Sequence, residues 1–392
     1  MNAKTLAHNI QAELRSAIKM DVKRSHIHEA IAAALGYSSN AAMLSRGVLC
    51  PMPPSLAQHQ GLDAVAISRR MAAFGYPNAS LTEVAKRIAA AIEKSGVRVL
   101  PLDLALKLLL DGQTELYDWD LVTQTEKPNS ESLFDYDSHE DLDEEDRHER
   151  QRDDDRYLDL HCEDVISALD LAIQRADGRA HLCKALLLAD GSDSFDGSGP
   201  NDGRFWHEKQ QSGQMLEGVE KEWADDYGRR KEAEQNAAFH LKAAAELRQA
   251  DALLLMADRY GDPRFFELHK PRVHADPAMV ARVAEHMGYL DAATAWLEFA
   301  AEAGDIGAMR ELIRDRQTND PLKCWTWFHL AKLHGKDLTR DDYRAIHEDG
   351  SPYDDDVGGP LFAEGEDGVE MPDAEVSLQR LAEASALEIF TR

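Results

Sequence analysis

The stretch that decides the fold spans residues 292–335. There Ala293-Thr-Ala-Trp296-Leu-Glu-Phe299-Ala300-Ala301-Glu-Ala-Gly304 returns, about 31 residues later, as Cys324-Trp-Thr-Trp327-Phe-His-Leu330-Ala331-Lys-Leu-His-Gly335. A period of roughly 20 to 50 residues is typical of stacked helical units. The sequence therefore predicts helix pairs that pack against neighbouring pairs rather than one closed globule.

Small residues recur at one position of this pattern. The aligned residues are Ala172, Ala244, Ala300 and Ala331. Ala252 and Ala308 follow two of them eight positions later and place a second small contact on the next helix. Small side chains let two antiparallel helices approach closely, and a glycine after the helix ends it with little strain. Large residues are expected to fill the space between pairs: Trp296, Phe299, Trp327 and Leu330.

The tract Ala-x-x-Trp-Leu-x-x-Ala-Ala-Glu-x-Gly-x-x-x-Ala-Met, from Ala293 to Met309, resembles the Sel1-like repeats, a tetratricopeptide-type branch of the α/α solenoids. The resemblance extends in irregular units over about residues 160–340. It implies a helical scaffold that binds other proteins, and it brings no general catalytic residue. The expected fold class is all-α: a small N-terminal helical module, an acidic linker, an α/α solenoid of irregular Sel1-like repeats and a C-terminal capping helix.

The predicted domains follow from composition. They are a helical module at 1–112, an acidic linker at 113–158, the repeats at 159–345, and a Gly/Asp-rich loop with a capping helix at 346–392. The linker contains His139–Asp146 and Asp153–Asp155, runs that repel themselves and bury too little apolar area to order the chain. We therefore expect it to be disordered. An alternative role for these acids is to mimic nucleic acid or to buffer metal ions.

The C-terminal residues 374–390 predict an amphipathic helix. Its apolar side is expected to cover the open face of the last repeat. That side comprises Val376, Leu378, Leu381, Ala384, Leu387 and Phe390.

The N-terminal residues 4–47 predict two short helices and the start of a third, and residues 61–112 predict three more after a Pro-rich break at residues 50–55. The tract from Ser25 to Tyr37 resembles a small helical module at the head of some bacterial accessory proteins. A helix-turn-helix is an alternative interpretation. Its candidate phosphate contacts are Lys19, Lys23, Arg24 and Arg46. The turn lacks a recognition face rich in Arg, Asn and Gln, which favours a packing module.

Charge is distributed unevenly along the chain. The net charge is −28, yet residues 1–112 carry 13 Lys/Arg against 8 Asp/Glu, which gives +5 and leaves −33 for the remainder. An acidic body repels phosphate backbones. Only the N-terminal part is therefore expected to suit nucleic acid.

Location and cysteine chemistry follow from what the sequence lacks. The N-terminus has no secretory pattern, and no apolar run approaches the roughly 20 residues of a membrane span, so we expect a cytoplasmic protein. The four cysteines are far apart and show no CxxC spacing, which argues against a zinc site and a disulfide framework.

No catalytic motif stands out. The chain has no GxGxxG, GxxxxGK[ST], GxSxG or HExxH pattern, so we expect neither an enzyme nor a cofactor or metal site. Trp325, Phe328 and His329 lie beside Trp327 on one helix and cannot all face inward. Either one or two of them line a groove for a partner, or all belong to the core between repeats.

These observations favour a non-enzymatic adaptor that holds a protein partner, of unspecified identity, on the concave face of its repeats. The alternative is a nucleic-acid-associated regulator whose basic N-terminal module contacts DNA. No feature favours the third hypothesis, a cryptic enzyme or toxin in that module.

Overall fold

The computed structural model describes residues 3–117, 157–190, 203–269, 271–348, 350–353 and 360–392. They form two compact units, Met1–Ala252 and Leu253–Arg392. Both units are mostly helical, so the helical class is confirmed. The all-α prediction missed short antiparallel strand pairs.

The first unit begins with a helical module that holds one strand pair. Its elements are α1 (Ala3–Ile18), α2 (Arg24–Ala34), α3 (Asn40–Arg46), β1 (Gly47–Pro51), α4 (Pro54–His59), α5 (Ala64–Ala73), α6 (Asn78–Ser95), β2 (Val97–Pro101) and α7 (Leu102–Leu110). The first unit continues with β3 (Glu115–Tyr117), β4 (Tyr157–Asp159), α8 (Glu163–Ile173), α9 (Gly178–Asp190), α10 (Gly203–Gln211) and α11 (Val219–Glu246).

The boundary between the units falls within α12 (Ala250–Tyr260). The second unit continues with a 3-10 turn (Pro263–Phe265), α13 (Pro277–His286), α14 (Leu290–Glu302), α15 (Ile306–Glu311), a π turn (Leu312–Arg316), α16 (Pro321–Leu333), β5 (Arg344–Ile346), β6 (Phe362–Glu364) and α17 (Val376–Phe390).

The N-terminal helices contain an internal duplication. Helices α2 and α3 lead into β1, and α5 and α6 lead into β2; both helix turns carry Gly-Tyr, with φ of 82° at Gly36 and 83° at Gly75. In the β1–β2 ladder the first residue of each strand faces the last residue of the other, as in Gly47 opposite Pro101. An approximate twofold axis therefore relates the two halves. The first two residues of the predicted Pro-rich break at residues 50–55 belong to strand β1 of this ladder.

The predicted acidic linker is held at both ends. Strands β3 and β4 pair antiparallel, with Glu115 opposite Asp159 and Tyr117 opposite Tyr157. Residues 118–156, which carry most of the predicted linker, lie outside the described residues. The predicted disorder of the linker therefore stays a prediction, and the structure shows only that the residues on either side of this segment pair in one ladder.

The helix pair α8 and α9 packs directly on the N-terminal module. Arg179 at the start of α9 donates to the carbonyl oxygen of Ser45 at 2.7 Å and to the Asp103 carboxylate at 3.1 Å. Helix α9 also contacts α7, and α8 contacts β1. Helices α7, α8 and α9 and strand β1 therefore belong to one compact unit.

The same backbone turn ends each of the four helices that carry an aligned alanine. The backbone N–H groups of Asp177, Gln249, Asp305 and Lys336 donate to the carbonyl oxygens of Ala172, Ala244, Ala300 and Ala331 at 3.3, 3.1, 3.1 and 2.9 Å. The residue before each donor has positive φ: Ala176 (59°), Arg248 (59°), Gly304 (100°) and Gly335 (83°). All four alanines are buried. The four aligned alanines thus lie at Schellman-type helix ends, a turn that also ends α2, α5, α7, α10 and α13.

At three of these four helix ends, a side chain of the turn also caps the start of the next helix. The side chains of Asp177, Gln249 and Asp305 accept hydrogen bonds from the backbone N–H groups of Arg179, Ala252 and Ala308. The alanine eight positions after each aligned alanine is buried, at Ala180, Ala252 and Ala308. Three of the four helix ends therefore share both the turn and the capped start of the following helix.

Two of these turns place a side chain where glycine fits better. Ala176 and Arg248 are exposed, and both have positive φ, which strains a residue that carries a Cβ atom. We expect Ala176→Gly and Arg248→Gly each to raise the free energy of unfolding by about 0.5 to 1 kcal/mol. Denaturant melts measure the change. Gly304→Ala is the opposite control, because its Cβ would also meet the His334 ring at 3.0 Å. A loss of stability in both glycine variants would contradict the strain argument.

Helix α17 packs on α16 with a different side from the one predicted. Its buried residues are the small Ala382 and Ala386, whereas Val376, Leu381, Leu387 and Phe390 are exposed. The predicted apolar side therefore does not cover the last repeat. The small residues form the contact because they let the two helices approach closely.

Candidate partner-binding surface

The three residues predicted to contact a partner lie together on α16. This helix begins at Asp320, whose carboxylate accepts from the backbone N–H of Lys323. Trp325 meets Phe328 edge to face at 5.4 Å between ring centroids and lies 5.8 Å from His329. On the opposite side, Trp327 is buried and its indole N–H donates to Gln317 Oε1 at 2.8 Å. Phe328 is buried in the same hydrophobic cluster as Trp327, and Trp325 packs against that cluster.

The chain's own C-terminal segment covers this face. The indole N–H of Trp325 donates to the Pro372 carbonyl oxygen at 3.0 Å, and Phe328 is buried. Burial lowers the pKa of His329, opposed by the charge of Glu383 on α17. Within the described residues, His329 Nε2 is buried without a hydrogen-bond partner. A partner could reach these rings only after the C-terminal segment moved, so their role in binding stays a prediction.

A second aromatic surface in the same unit is open. Five rings touch in sequence, with centroid distances of 4.9, 5.1, 6.3 and 5.9 Å. We name this set the aromatic row; its members, in order, are Tyr289, Phe266, Phe265, Trp296 and Phe299. Phe265 is buried and fixes the middle of the row, while Tyr289 and Phe299 are exposed at its ends.

The exposure of Phe299 is unusual for its place in the repeat. Its counterpart one repeat later, Leu330, is fully buried, yet Phe299 is 55% exposed. Aromatic side chains that are held rigidly at a surface are enriched where proteins bind partners. Sequence analysis assigned Phe299 to the space between helix pairs and singled out no residue between 263 and 277. It therefore missed Phe265 and Phe266, since a 3-10 turn has no periodic signal.

The candidate phosphate contacts are not gathered at one place. Lys19, Lys23 and Arg24 are exposed in and beside the turn between α1 and α2. Arg46 is exposed at the end of α3 and lies beside Tyr37, beyond the opposite end of α2. Helix α2 has 11 residues, which at 1.5 Å per residue separates its ends by about 16 Å. Three of the four residues could therefore contact one phosphate strand together.

Arg46 lines a cavity of about 700 Å³ with the turn between α2 and α3 and the start of α7. The lining residues are Gly36, Tyr37, Ser38, Ala42, Ser45, Arg46, Pro101 and Asp103. Burial raises the pKa of Tyr37, and the charge of Arg46 opposes that shift. Asp103 is already held by Arg179. The cavity is therefore lined by one cation, Arg46, and by one carboxylate, Asp103, that is already ion-paired. These two charges favour neither an anionic nor a cationic ligand.

A histidine pair lies between α9 and α11. His181 Nδ1 and His240 Nδ1 are 2.9 Å apart, so one ring donates to the other. Burial lowers the pKa of both, that of His240 to about 4, and the charge of Lys184 adds to the effect. The two residues are 59 positions apart, and sequence alone had no signal for their contact.

The cysteines are free thiols. Cys50, Cys183 and Cys324 are buried, and burial raises the pKa of each, that of Cys183 to about 12. Such thiols are poor nucleophiles at neutral pH. Among the residues that the structure describes, histidine, cysteine and carboxylate side chains form no group of three that could hold a metal ion.

No family model, no curated protein and no solved structure matches the chain. Within the described ranges, every helix is too short or too polar to cross a lipid bilayer.

Proposed function

We propose that the chain is a non-enzymatic, cytoplasmic protein–protein adaptor built on Sel1-like α/α repeats that form a solenoid. The observation that supports the proposal is a pair of buried alanines, eight positions apart, on the two sides of three helix turns: Ala172 and Ala180, Ala244 and Ala252, and Ala300 and Ala308. Stacked helical repeats commonly act by presenting an extended surface to a partner.

The aromatic row is the partner contact we propose on this scaffold. Its exposed ends, Tyr289 and Phe299, pack on Phe266 and Trp296, and the buried Phe265 contacts both of these rings. A side chain that is ordered before binding loses little conformational entropy on association. Trp325, Phe328 and His329 are a second contact, which requires displacement of the C-terminal segment.

Affinity purification of the tagged full-length chain from its own host, with nuclease, tests the proposal. We expect a stoichiometric protein partner that is retained by wild type and lost by at least tenfold in Phe299→Ser. Phe239→Ser is the matched control, because Phe239 is 65% exposed on α11 in the other unit. Retention of the partner by Phe299→Ser would exclude the aromatic row, and recovery of no protein at several salt concentrations would count against an adaptor.

The nucleic-acid-associated regulator remains the second candidate, because Lys19, Lys23 and Arg24 are exposed around one turn. This function requires that nuclease treatment greatly reduce the amount of material recovered with the tagged chain. DNA affinity of the full chain should then fall steeply with salt and weaken in Lys19→Ala, Lys23→Ala and Arg24→Ala. Arg46→Ala should have a smaller effect, because Arg46 lies beyond the opposite end of α2 from the other three residues.

A further inference from the structure

Helix α17 exposes an apolar surface on its outer side. Leu381 is 56% and Leu387 53% exposed, and Ala384 between them is exposed as well. At about 100° per residue these three side chains fall within roughly one third of the helix circumference. That third lies opposite Ala382 and Ala386, which pack on α16. Within the described chain, α17 therefore has one face buried and an opposite apolar face in solvent.

The exposed face is self-complementary about its centre. Ala384 is the small middle residue, and Leu381 and Leu387 lie three positions to either side of it. Arg380 and Glu388 lie four positions to either side, on the same exposed face. An antiparallel copy turned about a twofold axis at Ala384 places each Leu381 next to the partner copy's Leu387. The same rotation places each Arg380 next to the partner copy's Glu388.

We propose that α17 is a self-association surface on which two copies of this chain pair antiparallel about Ala384. A twofold interface requires one patch that complements itself, in both shape and charge. The face meets this requirement with a small residue at the centre, apolar residues beside it and opposite charges outside. The proposal does not depend on the adaptor function, because the aromatic row lies on other elements.

Opposite charges within the face matter because the chain as a whole is acidic. Two copies with a net charge of −28 each repel at long range. At about 0.15 M salt, charges further apart than about 8 Å are largely screened, so the local Arg380–Glu388 pairs govern the contact. Glu388 is paired with Arg392, just beyond the end of α17, in an exposed ion pair that can exchange for the new one.

Site-specific cross-linking tests the geometry. In Ala384→Cys the two thiols would meet across the axis, so mild oxidation should produce a disulfide-linked dimer of the full chain. In Ser377→Cys, one heptad earlier, the antiparallel arrangement holds the thiols about 21 Å apart along the helix, so no such dimer should form. Wild type measures the background from its native cysteines. Cross-linking of both variants would indicate a parallel pair and overturn the proposal.

Sedimentation equilibrium of the reduced full chain tests the energetics. We expect a monomer–dimer equilibrium in the micromolar range, weakened at least 100-fold by Leu381→Ser combined with Leu387→Ser. Leu290→Ser is the matched control, since Leu290 is equally exposed on α14. Circular dichroism verifies that each variant keeps its helix content.

Charge reversal provides the decisive comparison. Arg380→Glu and Glu388→Arg should each weaken the dimer about tenfold, because like charges then face each other. The double reversal should restore the affinity to within about threefold of wild type. A chain that stays monomeric at several hundred micromolar, or a dimer indifferent to all these changes, would overturn the proposal.

Discussion

Arg98→Leu is expected to destabilise the N-terminal module more than any other single substitution considered for this chain. Arg98 is almost fully buried in β2. Its Nε donates to the carbonyl oxygens of Ala57 and Gln60 at 3.0 and 2.9 Å, and its Nη1 donates to that of Val97 at 3.1 Å. The guanidinium thus donates to carbonyl groups at the C-terminal end of α4, where the last carbonyl groups have no partner within the helix.

Leucine would fill most of the space but remove the side-chain donor of the Gln60 and Val97 carbonyl oxygens, whereas the Ala57 carbonyl oxygen would still accept from the backbone N–H of Gln60 at 3.2 Å. Each buried carbonyl that loses its partner costs about 1 to 3 kcal/mol, so we expect a total loss of about 3 to 4 kcal/mol. Hydrogen exchange of the full chain, followed on peptides from residues 54–60 and 97–101, measures it. A loss of this size raises the exchange of globally protected amides about 100- to 1000-fold.

Glu93→Gln separates the carbonyl bonds from the ion pair. Arg98 Nη2 lies 2.6 Å from the Glu93 carboxylate, but the Glu93 side chain is 65% exposed. A partly solvated pair of this kind contributes less than about 1 kcal/mol. If Glu93→Gln accelerated exchange as much as Arg98→Leu, the ion pair and not the capped helix end would be the source of stability.

Sequence analysis located most helices because their signals are local. Apolar residues at spacings of three and four identified α2, α5 and α6, and the aligned alanines marked the four helix ends. The duplication in the N-terminal module escaped notice because α6 has 18 residues where its counterpart α3 has 7. The Gly-Tyr pairs at residues 36 and 75, each followed by a strand that ends in proline, were the available signal.

The candidate site was harder to predict because it depends on which faces meet. The same pattern that made α17 amphipathic could not show that Ala382 and Ala386, rather than Leu381 and Leu387, pack on α16. The aromatic row joins rings from a 3-10 turn, a helix and the turn between α13 and α14. Contacts of this kind follow from tertiary packing, which no local period encodes.

The first unit should lose stability as the pH falls from about 6.5 toward 4, and the His181–His240 pair should account for part of that loss. In the neutral pair one Nδ1 donates and the other accepts across 2.9 Å. When both rings are charged, two donors and two positive charges face each other. Lys184, which is paired with Asp170, adds a third cation, and Asp177 opposes it beside His181.

The direction of this dependence follows from the proton balance. Burial and the neighbouring cations lower the pKa of His240 from 6.5 to about 4, and the pKa of His181 is lowered as well. Between these values the unfolded chain binds protons that the folded chain does not. Stability is therefore complete above about pH 6.5 and decreases below it. For His240 we expect a loss on the order of 2 kcal/mol, after allowance for its partial exposure.

His240→Gln isolates the contribution of the pair. Glutamine can still donate to His181 Nδ1 but does not titrate, so the stability of the variant should decrease less between pH 6.5 and 4.5 than that of wild type. Urea unfolding at four pH values, followed by circular dichroism, gives the two slopes, and their difference removes the other acids that titrate. His286→Gln, at an exposed histidine of the second unit, should keep the wild-type slope. Equal slopes for wild type and His240→Gln would mean that the pair does not resist protonation in the folded chain.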